Sequence, residues 1–154
     1  MHRILTLSIL LILFLGCNAG KNKKSTRLNI KSEKIFDAQT GLEIQKMKIN
    51  NIEYSYSLDK NLDTVKLWTK DNKFITKEGF KIGTKWKEIP KELQDSTYKL
   101  PGFGYYVELK SGWNLGFCIG NTCTDNYPFN KSEVIWIEKQ MNKRVKEHNS
   151  LFKN

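Results

Sequence analysis

The strictest pattern in this chain is the alternation of apolar and polar side chains over residues 52–58. A period of two puts successive side chains on opposite faces of a β-strand, so the segment predicts a strand with one buried face. Turn-forming residues stand on both sides of it, Asn50-Asn51 and Asp59-Lys60-Asn61. Together with an apolar run over 42–49 and a β-rich run over 64–68, they predict an antiparallel meander. The face expected to be buried contains Ile52, Tyr54, Tyr56 and Leu58.

The second half of the chain predicts a hairpin and a last strand. Ser111-Gly112 is a two-residue turn signal between two further β-rich runs, 105–110 and 113–119. Residues 134–137 are also β-rich and predict the final strand of the sheet.

Two helices complete the predicted fold. Thr84 can cap a short central helix, and Pro90 limits its length because proline cannot continue a regular helix. Met141 and Val145 stand at helical spacing and predict a C-terminal helix. We therefore expect an α+β fold, in which an antiparallel sheet (meander plus hairpin) carries one short central helix and a C-terminal helix.

The N-terminus reads as an export signal. The apolar run over 4–15 is shorter than the roughly 20 residues that a membrane-spanning helix needs, and it has the length of a signal-peptide core. It ends in Gly16-Cys17, which resembles the bacterial lipobox. That resemblance implies that Cys17 is diacylated and becomes the mature N-terminus, and Asn18 then favours the outer membrane facing the periplasm. An ordinary signal peptide cut elsewhere, with Cys17 incidental, is the alternative.

Charge divides the chain of 154 residues into segments. We expect a signal peptide over 1–16, a lipidated and flexible basic tether over 17–32, a single domain over 33–138 and a basic C-terminal helix or tail over 139–154. The domain contains 15 basic and 15 acidic residues, so the net charge of +10 comes from the two ends and from the signal peptide. A neutral domain argues against nucleic acid as a partner, since binding to phosphates needs a basic face. The tether can lie against anionic headgroups or serve only as a linker.

The body of the chain also carries a weak resemblance. The segments 76–84, 104–107, 111–113 and 134–137 resemble parts of small exported bacterial α+β domains of uncharacterised function. The Ile82-Gly83-Thr84 segment, with Ile89 five residues later, is loosely similar to small lipoproteins of the outer-membrane barrel-assembly machinery. The resemblance implies a helix that leads into a curled antiparallel sheet, and it carries no catalytic residue with it.

The cysteines and histidines exclude several chemistries. Past the inner membrane, Cys118 and Cys123 are expected to form a disulfide, because Gly120 and Asn121 let the chain turn back between them. A thiol nucleophile is the rival, but it lacks a histidine base, and a redox pair would need two intervening residues rather than four. His148 stands near the C-terminus, so we expect no catalytic triad, metal site or cofactor.

Carboxylates offer the remaining route to catalysis. The acidic residues are scattered among lysines, without a local pair at a useful spacing. A fold that brought two carboxylates into one cleft would permit glycosidase-type chemistry. Without such a motif in the sequence, we expect no enzyme.

Aromatic residues supply the candidate binding surface, which contains Phe103, Tyr105, Tyr106 and Trp113. Tyr105 and Tyr106 are neighbours, so on a strand one of them points away from the core. Tyrosine and tryptophan are enriched in binding hot spots, although the same residues also pack cores. We therefore expect a non-enzymatic binding or scaffolding role in the cell envelope, with an envelope protein or a cell-wall component as partner. The alternative is a periplasmic inhibitor or immunity protein that blocks a hydrolase or toxin.

Overall fold

Residues 34–141, which the computed structural model describes, form a seven-stranded antiparallel sheet. The strands are β1 (Ile44–Ile49), β2 (Ile52–Leu58), β3 (Thr64–Thr69), β4 (Tyr98–Leu100), β5 (Gly104–Glu108), β6 (Asn114–Phe117) and β7 (Trp136–Gln140). Their spatial order is β1-β2-β3-β7-β6-β5-β4. The last strand therefore lies in the middle and joins the N-terminal meander to the later hairpins.

The first turn shows how local sequence sets the meander. Asn50 and Asn51 both have positive φ, 49° and 67°, as a two-residue hairpin turn of the primed type requires. Asparagine tolerates this conformation better than most residues. The turn places Ile49 opposite Ile52 and fixes the register of β1 on β2. The strand predicted over 52–58 is β2.

The α+β prediction is wrong, because the described residues are nearly all β. The predicted central helix is only a 3-10 turn, Trp86–Glu88, followed by the four-residue α1, Lys91–Gln94. The N–H of Glu88 donates to Lys85 and that of Ile89 to Trp86, which is the i→i+3 pattern of a 3-10 turn, and the N–H of Trp86 donates to the carbonyl of Ser132 in the loop before β7. Pro90 then separates the two short pieces, since it has no N–H to continue the first one.

The C-terminal helix is not formed where the prediction can be checked. β7 continues as an extended strand to Gln140, and the N–H of Met141 donates to the carbonyl of Val65 at 2.8 Å. Pairing with β3 therefore determines the conformation of this segment, and the helical spacing of its apolar residues does not. The rest of the predicted helix, residues 142–154, lies outside the described residues, as do the predicted signal peptide and tether.

One face of the sheet carries the apolar core. Val107, Leu115, Phe117 and Ile137 have no exposed surface. Trp86 and Ile89, from the connection between β3 and β4, cover them. This packing holds β5, β6 and β7 in place, and the side chains on their other face are positioned by the same three strands.

Candidate functional site

The opposite face of the sheet is polar and aromatic. Strand register places Trp68 of β3, Glu138 of β7 and Asn114 of β6 in one row. The neighbouring row contains Trp136, Gly116 and Tyr106. Because residues directly opposite each other share a face, these side chains all project to the side away from the apolar core. Further members of the same face are Ser57, Lys66, Gln140 and Tyr98.

The chain segment before β1 folds over this face. A bridge between Phe36 and Glu43 closes it into a loop, and the N–H of Asp37 donates to Leu42 at 2.9 Å. The loop brings Asp37 and Gln39 down to the sheet. The amide nitrogen of Gln39 donates to the Tyr106 hydroxyl at 2.9 Å, which ties the segment to β5.

Lys66 is the centre of the polar network. Its Nζ lies 3.4 Å from Asp37 Oδ1 and 3.3 Å from Glu138 Oε2, and it also donates to Gln39 Oε1. The side chain is 7% exposed and that of Glu138 only 1%. Three acceptors thus match the three protons of the ammonium group. The same ammonium lies 5.2 Å from the centre of the Trp68 ring, within range of a cation–π contact.

Burial dominates the electrostatics of Glu138. Loss of solvent raises the pKa of this carboxyl above its ordinary value, and the nearby charge of Lys66 opposes that effect. The pKa of the Tyr106 hydroxyl is raised for the same main reason, burial, with the charge of Glu138 adding to it. A second oxygen of Glu138 accepts a hydrogen bond from Gln140 at 2.8 Å.

Aromatic rings form the walls above this network. They belong to Trp68, Phe103, Tyr106 and Trp136. Trp136 lies against Gly116, where a Cβ atom would come within 2.0 Å of its indole nitrogen. The Tyr106 ring is stacked on the ring of Tyr98, with ring centres 5.4 Å apart. The absence of a side chain at Gly116 therefore gives Trp136 its place.

The walls and the network enclose a cleft of about 170 Å³. We call it the sheet-face cleft, and its lining residues are Asp37, Gln39, Lys66, Trp68, Lys70, Phe103, Tyr106, Trp136 and Glu138. Of these, Trp68, Phe103 and Trp136 are half-buried. Lys70 is exposed at the edge, and no ion pair or hydrogen bond of its ammonium occurs within residues 34–141.

The predicted aromatic surface is divided between the two faces. Phe103 and Tyr106 line the sheet-face cleft. Tyr105 packs in the apolar core, and Trp113 packs beside that core against Phe74, with ring centres 4.8 Å apart. The two tyrosines point to opposite faces, and both are buried, at 7% and 1% exposure. The structure therefore does not bring the four residues into one surface.

Sequence reasoning missed most of the cleft. Lys66 stands between Val65 and Leu67 in a β-rich run, and Glu138 follows Ile137 in another. A charged residue inside a strand that pairs on both sides is a usable signal, because such a strand offers little solvent to an unpaired charge. Asp37 and Gln39 carry no comparable signal, since they lie in an irregular segment.

Cys118 and Cys123 are joined by a disulfide in the structure. The loop between them is further held by Asp125, whose Oδ2 accepts the N–H of Asn121 at 2.7 Å. A hydrogen bond from the Thr122 hydroxyl and that from the Asn121 N–H lower the pKa of the Asp125 carboxyl. The carboxylate in this polar loop is therefore occupied by its own backbone.

The sheet-face cleft contains the carboxylate pair that no local motif indicated. Asp37 and Glu138 come from opposite ends of the described chain, and both lie within 3.4 Å of the same lysine nitrogen. Glycosidases need two carboxylates with an open space between them for the scissile bond or a water molecule. Here the Lys66 ammonium is hydrogen-bonded to both, so this arrangement is a buried ion-pair network.

Comparisons with known proteins give little further guidance. No protein-family model matches the chain, and no curated protein is similar to it. Among solved structures, it is similar to the crystal structure of the uncharacterized protein yfeY from Escherichia coli. The match has 11% identity and a TM-score of 0.42, and it covers 64% of this chain and 78% of that chain. Within the part of the chain that the structure describes, no helix has the length and apolar character to cross a membrane.

Proposed function

We propose that this protein is a lipid-anchored component of the bacterial cell envelope that binds a partner in the sheet-face cleft without catalysing a reaction. The partner is an envelope protein or a cell-wall component, and the anchor is Cys17, with the outer membrane facing the periplasm as the expected location. The observation that carries the binding role is the cleft itself, in which half-buried aromatic rings surround a buried network centred on Lys66. Concave sites with aromatic walls and a few fixed polar groups are typical binding sites.

The position of Lys66 favours binding over hydrolysis. A general acid must hold a proton that it can pass to the leaving group, and a nucleophilic carboxylate must reach the reacting carbon. Asp37 and Glu138 instead share one ammonium group within 3.4 Å. Their first role is to neutralise a buried charge and to hold the loop over the cleft.

The anchor is tested by replacing Cys17. We expect wild-type protein to incorporate labelled palmitate and to sediment with membranes, and the Cys17→Ala variant to do neither. A Cys118→Ala variant is the matched control, because it removes a cysteine without touching the lipobox-like sequence. Membrane sedimentation of Cys17→Ala, together with no labelling of the wild type, would contradict the lipoprotein proposal.

The binding role is tested by crosslinking in cells, followed by mass spectrometry of the material that co-purifies. Phe103→Ala removes one wall of the cleft, whereas Phe129→Ala removes an exposed ring outside the lining and serves as the matched control. We expect a recurring partner that Phe103→Ala loses and Phe129→Ala keeps. Substitution of Tyr105 or Tyr106 is unsuitable, because both are buried and their loss would disturb folding. A partner that both variants keep would contradict a role for the cleft, and a partner found only after exposure to a foreign hydrolase or toxin would favour the inhibitor alternative.

A further inference from the structure

The charges around the sheet-face cleft are balanced. Its lining within residues 34–141 contains two lysines, Lys66 and Lys70, and two carboxylates, Asp37 and Glu138. A charged group held inside the cleft would compete for Lys66, Asp37 or Glu138, which already pair with one another, and the charge left unpaired is costly in a partly buried space. The balance therefore favours an uncharged ligand.

The polar groups of the cleft include both donors and acceptors. Lys70 can only donate, Asp37 can accept when ionised, and the amide of Gln39 can do both. A hydroxyl group is likewise a donor and an acceptor at once. A ligand with several hydroxyl groups can therefore form hydrogen bonds with both the donors and the acceptors of the cleft.

The aromatic rings require an apolar surface on the same ligand. Trp68 of β3, Trp136 of β7 and Phe103 of the turn between β4 and β5 line the cleft, and all three residues are half-buried. A sugar ring combines the two properties, since its C–H bonds form apolar faces and its hydroxyl groups lie around its edge. Such a face can pack on an aromatic ring by dispersion and by removal of apolar surface from water.

The size of the cleft limits the ligand to one ring. Its volume is about 170 Å³. That is well below the roughly 300 Å³ at which pockets for drug-sized ligands begin. A longer glycan would have to extend out of the cleft past the exposed Lys70.

We propose that the sheet-face cleft binds one uncharged sugar ring of an envelope glycan, stacked on the aromatic walls and hydrogen-bonded to Asp37, Gln39 and Lys70. This inference rests on the binding role proposed above and names the chemical class of its ligand. It narrows the partner to a glycan of the cell wall or the cell surface.

Calorimetric titration of the purified full-length protein with matched pairs of sugars tests the inference. The neutral members are triacetylchitotriose and cellotriose, and their charged counterparts are the de-acetylated trimer, which is cationic, and triglucuronic acid, which is anionic. We expect at least one neutral trimer to bind ten-fold or more tightly than its charged counterpart. Phe103→Ala should weaken that binding at least ten-fold and Lys70→Ala about three-fold, and Phe129→Ala should leave it unchanged.

Each other outcome overturns the ligand class, the site or the binding role. Tighter binding of a charged counterpart, or sugar binding that Phe103→Ala and Lys70→Ala both leave unchanged, overturns the proposed ligand class or its site. No binding of either neutral trimer at 10 mM, with a crosslinked partner that still depends on Phe103, overturns the sugar and keeps the binding role. If Phe103→Ala changes neither sugar binding nor the crosslinked partner, both proposals fail. If a neutral trimer binds as expected, a pull-down on insoluble cell-wall glycan and one on surface polysaccharide distinguish the two sources of the ring.

Discussion

The two faces of the sheet are buried to a similar degree by opposite chemistries. On the core face, Leu115 and Phe117 have no exposed surface, and apolar packing accounts for their place. On the cleft face, Lys66 and Glu138 are 6% and 1% exposed, although both carry charges in their ordinary states. Apolar burial stabilises a fold directly, whereas a buried ion pair recovers little more than the cost of taking its charges out of water. The cleft face is therefore expected to add less stability than the core face.

The largest expected effect belongs to the core face. Phe117→Ala removes a fully buried ring that packs edge-on against Trp86, with ring centres 5.2 Å apart. We expect the free energy of unfolding to fall by about 4 kcal/mol, from lost transfer energy and from the cavity left behind. Urea denaturation measures the change, and Phe129→Ala, at an exposed site, should cost under about 0.5 kcal/mol. A loss below about 1 kcal/mol for Phe117→Ala would show that this face is not the main source of stability.

The next effect belongs to the ion network. Lys66→Met removes the only cation that the structure places between Asp37 and Glu138 among the described residues. We expect a loss of about 3 kcal/mol at neutral pH, since two carboxylates then remain buried without a counterion.

The double variant Lys66→Met/Glu138→Gln separates the charge from the packing. Removing one of the stranded carboxylates should restore part of the lost stability, so the two changes should not be additive. Additive losses in the same denaturation experiment would mean that the contacts of the lysine side chain, rather than its charge, matter on this face.

A smaller effect belongs to the contact between β6 and the cleft wall. Gly116→Ala places a methyl group where the Trp136 indole lies, so that ring must move. We expect a loss of about 2 kcal/mol and a changed tryptophan signal in near-ultraviolet circular dichroism. Adding Trp136→Phe should recover part of the stability, because the smaller ring leaves room for the methyl group. An unchanged spectrum for Gly116→Ala would contradict the position of Trp136 over the glycine.

The sequence predicted the strands better than the faces. The alternation over 52–58 and the turns at Asn50-Asn51 and Ser111-Gly112 are local signals, and the structure has a strand and turns there. The second turn is one residue longer than predicted, because the N–H of Leu109 bonds to Trp113 and leaves residues 110–112 in the loop. The alternation assigned burial to the side chains of Ile52, Tyr54, Tyr56 and Leu58. Yet Ser57, on the other face, is the residue of β2 with no exposed surface. A sheet covered on both faces does not follow the rule of one buried and one solvated face.

The errors have long-range causes. Helical spacing around Trp86 and Met141 is genuine, but Pro90 follows the 3-10 turn at Trp86, and the N–H of Met141 bonds across the sheet to Val65. The same holds for the cleft, because Asp37 and Glu138 are 101 positions apart in the chain and meet only through Lys66. A single sequence has no pattern that joins such positions, so the site could be inferred only once the strand order was known.

The smallest effect concerns the pH dependence of Glu138 and has the most specific sign. Burial raises the pKa of this carboxyl in the folded protein above its ordinary value of 4.5. Below pH 4.5 the group is protonated in both states, and its contribution to stability is fully present. As the pH rises, the unfolded chain releases the proton before the folded protein does. The contribution of this group to the free energy of unfolding therefore decreases, and it stops changing once the pH has passed the folded-state pKa. Glutamine cannot ionise, so the unfolding free energy of wild type minus that of Glu138→Gln should decrease from pH 4 to pH 7. At pH 7 the variant should be about as stable as wild type, because Asp37 remains as the counterion of Lys66.

Glu43→Gln is the matched control, with the opposite slope. A hydrogen bond from Lys34 lowers the pKa of the Glu43 carboxyl, so its contribution is present above pH 4.5 and is lost as the pH falls through the folded-state value. Denaturation of the three proteins from about pH 3 to pH 7 gives both slopes in one series. If Glu138→Gln is instead less stable than wild type by several kcal/mol at pH 7, the attraction of Lys66 outweighs burial. The network would then stabilise the fold as the core does, and the contrast between the two faces would have to be abandoned.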